Sequence, residues 1–180
     1  MQQTQRQILY SILLLAGAAW ILFSADRAGT STSGLIPAPQ TGFPAPDFEL
    51  KTPAGDSIKL SDLRGQAVLL NLWATWCPPC RAEMQTIEEV YNEYNEQGFT
   101  VLAVNMTYQD DPLEIMPFVE SQGLTYPILL DETGDMARAY QLKSLPSSYF
   151  IDRDGMINEV VIGGPMAEAL LRTRIEDILK

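Results

Sequence analysis

Ala67 to Trp73 read Ala-Val-Leu-Leu-Asn-Leu-Trp, and Ala74-Thr75-Trp76 then lead straight into Cys77-Pro78-Pro79-Cys80. So short an apolar run, with one polar side chain in it, fits a strand covered on both faces; a helix needs a longer pattern. Beyond the cysteines the period changes. Between Arg81 and Gln97 the residues Met84, Ile87, Val90, Tyr91 and Tyr94 recur at helical spacing, and Gly98 closes the run. A buried strand that passes at once into an amphipathic helix implies a sheet with helices packed on it, so the expected class is α/β.

The rest of the chain extends this pattern. Asp47 to Leu50 and Ser57 to Leu60 alternate around Pro53-Ala54-Gly55-Asp56, which predicts an N-terminal β-hairpin. Phe99 to Val104 reads as a second buried strand and Tyr126 to Leu130 as a third. Asp111-Pro112 suits a helix start, yet Pro117 falls five residues on, so that helix is either kinked or begins near Pro117. A short helix is expected over Asp135 to Tyr140, and a hairpin over Ser147 to Ile151 and Ile157 to Ile162 around Asp152-Arg153-Asp154-Gly155. A final amphipathic helix runs from about Met166 to Leu179. The order predicts a central mixed sheet flanked by helices on both faces.

Ahead of this domain lies a membrane signal. Ile8 to Phe23 are uncharged; as a helix they span about 24 Å, and Ser24 and Ala25 bring that to about 27 Å, against roughly 30 Å of hydrocarbon. Arg6 and the terminal amine precede the run, while Asp26 and Arg27 cancel after it. Residues 1–7 are therefore expected in the cytoplasm, residues 8–25 as one transmembrane signal anchor, and the remainder outside a bacterial cytoplasmic membrane. A cleaved signal peptide is the alternative, but Ala25 has Phe23 at the −3 position, and a cut within Ala16-Gly17-Ala18-Ala19 would leave Trp20-Ile21-Leu22-Phe23 exposed at the new terminus. No cysteine stands in the stretch just after the run, so a lipoprotein anchor is not expected. Residues 26–42, rich in Gly, Ser, Thr and Pro, read as a flexible linker, and residues 43–180 as the domain.

The chemistry is concentrated in Cys77 and Cys80. Placed at a helix start and three positions apart, their sulfurs share one face within bonding reach. Unpaired N–H groups and the helix dipole stabilise a thiolate there. Cys77, at the tip, is the expected attacking thiolate, exposed to reagents; Cys80, one turn in, is the resolving thiol. A purely structural disulfide is the weaker alternative, since so small a loop stabilises little. Half of a shared zinc site and an inert motif are the others. The chain has no histidine, which removes Cys-His and Ser-His pairs and every His-containing metal site. Its net charge of −11 disfavours nucleic acid as a partner. No cofactor or metal is expected.

Several stretches together resemble the TlpA/ResA-like family of membrane-anchored thioredoxin-like proteins. They are Ala45-Pro46-Asp47-Phe48, Leu60-Ser61-Asp62-Leu63-Arg64-Gly65, the run from Leu72 to Met84, Tyr126-Pro127-Ile128-Leu129-Leu130-Asp131 and Leu145-Pro146-Ser147-Ser148-Tyr149-Phe150-Ile151-Asp152. The resemblance implies a thioredoxin fold with a central insertion. It implies reduction of disulfides in secreted proteins, often apocytochrome c; because the space outside the membrane is oxidising, a membrane reductant delivering electrons across the bilayer is expected to keep the pair reduced. It also implies that Pro146 is cis and faces the cysteines, presenting the backbone of Leu145 as an edge for substrate. Trp76 and Pro78 complete the expected substrate-contacting set, with Trp73 packed close by.

Glu83 matches a family glutamate that could take the proton Cys80 must lose; alternatively it is a first-turn acid complementing the helix dipole. Asn71 stands where thioredoxin has a buried aspartate, and an amide cannot carry that proton. Gln85 replaces a proline common in the family, so a straighter helix is expected, with an altered setting for Cys80. A thiol peroxidase of the peroxiredoxin type and a non-enzymatic capture module are the rival functions. The first is disfavoured by Thr75 standing two residues before Cys77 and by Asn71, the second by the intact cysteine pair.

Overall fold

The structure is a computed structural model that describes residues 34–180. The transmembrane segment expected over 8–25 lies outside the described residues, as do residues 1–7 and the first part of the linker. Among the described residues no helix is long and apolar enough to cross a membrane.

Seven strands form one sheet in the order β2-β1-β5-β4-β3-β6-β7. They are β1 (Glu49–Lys51), β2 (Ser57–Lys59), β3 (Ala67–Trp73), β4 (Phe99–Asn105), β5 (Ile128–Leu130), β6 (Ser147–Ile151) and β7 (Ile157–Ile162). Among the described residues the α-helices are α1 (Pro78–Tyr94), α2 (Pro112–Gln122), α3 (Asp135–Ala139) and α4 (Glu168–Leu179). β3 pairs parallel with β4 and antiparallel with β6, and β5 runs parallel to β4. The sheet is mixed, as expected. This is the thioredoxin fold, with α2 and β5 inserted between β4 and α3 and the β1–β2 hairpin antiparallel on β5.

β3 is buried along its whole length, and its period of two divides the core. Ala67, Leu69 and Trp73 face a layer built from α1, α2 and α4, through residues such as Met84, Ile87, Phe118 and Ile175. Val68, Leu70 and Leu72 face the opposite layer, with Leu60, Met136 and Tyr140. Burial of such side chains contributes roughly 1.5–3 kcal/mol each, which suits a strand paired on both edges, by β4 and β6. Asn71 shares the face of Leu69 and Trp73, so the one polar residue of β3 points at α1.

Some boundaries differ from the sequence reading. α2 runs through Pro117, with Asp111 capping the Leu113 N–H at 3.0 Å and Gly123 closing it at φ 63°. The helix therefore starts at Pro112 and tolerates one lost internal hydrogen bond at Pro117. α4 begins at Glu168, after a cis Gly164–Pro165 bond and a Met166 N–H donated elsewhere. Residues assigned to the linker are held against the domain: Gly42 N–H donates to Ile157 at 2.7 Å and Ala38 N–H to Pro44 at 3.0 Å. The compact unit accordingly begins at Ile36.

Candidate active site

Cys77 is the N-cap of α1, with an extended backbone, and Pro78 and Pro79 fill the first helical positions. Proline suits those positions because first-turn N–H groups lack partners inside the helix. Two prolines in succession also remove two donors. The N–H of Cys80 is the one that reaches the Cys77 sulfur, at 3.3 Å.

Cys77 and Cys80 are bonded to each other. Cys80 is fully buried, on a helix that runs unbroken past Gln85. Cys77 was expected at an exposed tip; in this oxidised form it is only 3% exposed. The solvent-facing positions around it belong to Trp76 and Pro78.

Glu83 lies in the second turn of α1, not the first, and is 1% exposed. Complementing the helix dipole is therefore not its role. Its Oε1 accepts from Asn71 Nδ2 at 3.0 Å and its Oε2 from the Met166 N–H at 3.2 Å. Burial pushes its carboxyl above the usual carboxylate range, and the two donors offset this in part. Asn71 also donates to Ser148 at 2.9 Å, which ties Glu83 to β6.

The Leu145–Pro146 bond is cis, as the resemblance implied, and Pro146 O accepts from the Gly163 N–H at 2.8 Å. Pro146 itself is buried and Leu145 half-buried. Leu145 lines a cleft of about 210 Å³ together with Trp76, Tyr108 and Lys143. Trp76 is 56% exposed and separates this cleft from a second of about 420 Å³ lined by Thr75, Arg81, Glu114 and Phe118. Trp73 is buried with its ring 5.6 Å from that of Phe118.

Two features of the site had escaped the sequence reading. Asp110 clamps the loop before Cys77, accepting from the Thr75 N–H at 2.7 Å, Thr75 Oγ1 at 2.5 Å and Asn105 Nδ2 at 2.7 Å. Trp76 Nε1 adds a bond to Gln109 O at 3.1 Å. Gly164 lies over Glu83 and Pro146. Asp110 and Thr75 are 35 positions apart, so no local pattern connects them; the adjacent glycines Gly163 and Gly164 were the available signal for the second.

Residues 41–160 match the model of the AhpC/TSA family. The chain belongs to the AhpC/TSA family. Among its AhpC/TSA-family relatives is thiol-disulfide oxidoreductase ResA of Geobacillus kaustophilus, 35% identical over 96% of each chain. ResA of Oceanobacillus iheyensis is 38% identical, covering 99% of this chain and 90% of its own. A crystal structure of a thiol:disulfide interchange protein from Chlorobium tepidum superposes with a TM-score of 0.70 at 27% identity, covering 82% of this chain and all of that one. Within the AhpC/TSA family the protein is thus a ResA/TlpA-like thiol–disulfide oxidoreductase.

Proposed function

We propose that this enzyme reduces disulfides in proteins outside the cytoplasm, apocytochrome c being one candidate substrate, while tethered to a bacterial cytoplasmic membrane by residues 8–25. The observation that carries the reading is the bonded Cys77–Cys80 pair at the head of α1, with the buried carboxylate of Glu83 three residues beyond Cys80. In the reduced enzyme the Cys77 thiolate attacks a substrate disulfide, releasing one substrate thiol and leaving a mixed disulfide. Cys80 then attacks the Cys77 sulfur, releases the second substrate thiol and closes the Cys77–Cys80 bond. Glu83 accepts the proton that Cys80 loses, a role its raised proton affinity favours. Trp76, Pro78 and the Leu145 backbone flank the incoming chain. Two electrons and two protons from a membrane reductant restore the dithiol. The uncharged run from Ile8 to Phe23, with Arg6 before it, supports the location.

Trapping tests the activity. A Cys80→Ala variant produced in the cell accumulates mixed disulfides through Cys77, and mass spectrometry identifies their partners as exported proteins; cytoplasmic partners alone reject the reading. Fractionation tests the tether: the native chain stays with membranes in high salt and retains Ile8 to Phe23.

A further inference from the structure

We propose that Gly164 is a positioning residue, whose missing side chain leaves room for both the Glu83 carboxylate on the Met166 N–H and the Pro146 ring. The inference deepens the proposed function and rests on its assignment of Glu83 as the proton acceptor for Cys80.

The two adjacent glycines of the β7–α4 loop differ in what they require. Gly163 has φ 88°, a conformation that favours glycine, yet nothing lies within 4 Å of where its Cβ would be. Gly164 is the reverse. Its φ is not in the left-handed region, so φ does not call for glycine, but a Cβ there would fall 2.6 Å from Glu83 Oε2 and 2.8 Å from Pro146 Cγ. Neither distance is one that a real Cβ adopts.

The neighbours have little freedom to yield. Glu83 Oε1 is held by Asn71 of β3, and Asn71 is itself bonded to Ser148. Oε2 is held by the Met166 N–H, two residues beyond Gly164. On the other side, the Gly163 N–H is bonded to Pro146 O. A side chain at position 164 must push the carboxylate off Met166 or lift the loop away from Pro146. Gly164 is exposed while Glu83 beneath it is 1% exposed, so lifting the loop also lets water reach the carboxylate. Position 164 thus links the proton acceptor with the loop that presents the Leu145 edge.

The test uses the reduced full-length chain and follows release of the second substrate thiol from the Cys77 mixed disulfide as a function of pH. The titratable groups facing Glu83 are Cys80 on its own helix and Tyr126 from the segment entering β5, the latter also near Glu88; Asn71 and the Met166 N–H face it without titrating. The unaltered chain shows a lower inflection from Glu83, which E83Q removes. If E83Q leaves that inflection, the proton-acceptor assignment fails, and Gly164 is judged by the coupling below alone.

G164A slows the step by ~10- to 100-fold, as displacement of a reacting group by about 1 Å would, and moves the Glu83 inflection. G163A, strained but free of the clash, leaves the inflection in place. Shortening the acid relieves the crowding, so E83D costs less in the G164A background than alone. Unchanged kinetics in G164A, equal shifts in G163A, or additive effects of G164A and E83D overturn the proposal. Should G164A fail to fold, carbon and nitrogen resonances of the unaltered chain decide. The Met166 amide and the Pro146 ring then titrate together with the Glu83 carboxyl; a Pro146 ring that ignores that titration overturns the proposal.

Discussion

Asn71 Nδ2 donates to Glu83 Oε1 at 3.0 Å, joining the asparagine of β3 to a carboxylate buried in the active-site helix. The two residues solve one problem together. A carboxylate taken out of water must be hydrogen-bonded or protonated, and an amide on β3 supplies a donor without supplying a charge. Glu83 is therefore held in place while its affinity for a proton stays high. A lysine or arginine at the same distance would hold the carboxylate equally well but stabilise it as an anion, and it would make a poorer proton acceptor.

The raised proton affinity of Glu83 gives stability a definite pH dependence. Because its folded-state pKa lies above the unfolded value, the contribution is fully present below the ordinary carboxylate range and is lost as pH rises through the raised pKa. Urea denaturation at several pH values should show the wild-type chain losing stability across this window relative to E83Q. Parallel pH profiles for the two chains would contradict the assignment.

Asp110 accepts four hydrogen bonds, from the Thr75 N–H, Thr75 Oγ1, Asn105 Nδ2 and the Asp111 N–H. D110A leaves these donors without their acceptor and should destabilise the domain by about 2–3 kcal/mol. The loop from Ala74 to Trp76 then loses its anchor, and turnover of a disulfide substrate should fall ~10-fold through misplacement of Cys77. D110N, which keeps an acceptor oxygen, should recover part of both losses. Denaturation and turnover measured side by side check this; a stable, fully active D110A removes the clamp from the mechanism.

Reactivity of the two thiols should be unequal. Cys77 is the N-cap and retains slight exposure, whereas Cys80 is fully buried one turn in. After reduction, a brief pulse of alkylating agent should label Cys77 well before Cys80, as read by peptide mass spectrometry. C77S should lose essentially all turnover. Equal labelling, or first labelling at Cys80, would reverse the roles.

Much of the fold was legible because its signals are local. The short apolar run from Ala67 announced β3, the Met84–Ile87–Val90 spacing announced α1, and Gly55 and Gly155 marked the two hairpin turns at φ 95° and 80°. The cysteine pair was legible for the same reason. The features that local patterns miss depend on residues distant in the chain. Glu83 is separated by 83 positions from the Met166 N–H that it binds, so first-turn and core positions could not be told apart by spacing. Burial of Cys77 likewise comes from the packing of other segments around the helix start. Pro117 was ambiguous because a single proline in a helix has a cost that tertiary packing, here through Phe118 and Val119, is able to offset.

The Cys77–Cys80 pair should be a reductant. Strong oxidants of this fold owe their potential to a well-stabilised thiolate, and the surroundings of Cys77 supply little of that kind. Pro78 and Pro79 have no N–H, so the Cys80 N–H at 3.3 Å is the donor that the helix start directs at the sulfur. The sequence holds no histidine to place a cation between the cysteines. Arg81, the cation next in line, sits over the Phe118 ring at 5.1 Å from its centre. Glu83 adds no positive charge and, once ionised, opposes a second anion nearby. Equilibration with glutathione should therefore place the potential toward ~−270 mV and well away from ~−120 mV. Replacing Pro79 by histidine restores both an N–H and a cation beside Cys77, and should raise the potential by about 30 mV for each 1.4 kcal/mol of thiolate stabilisation gained. A wild-type value near the oxidant end, or a P79H variant with an unchanged potential, would mean that some group other than these controls the Cys77 thiolate.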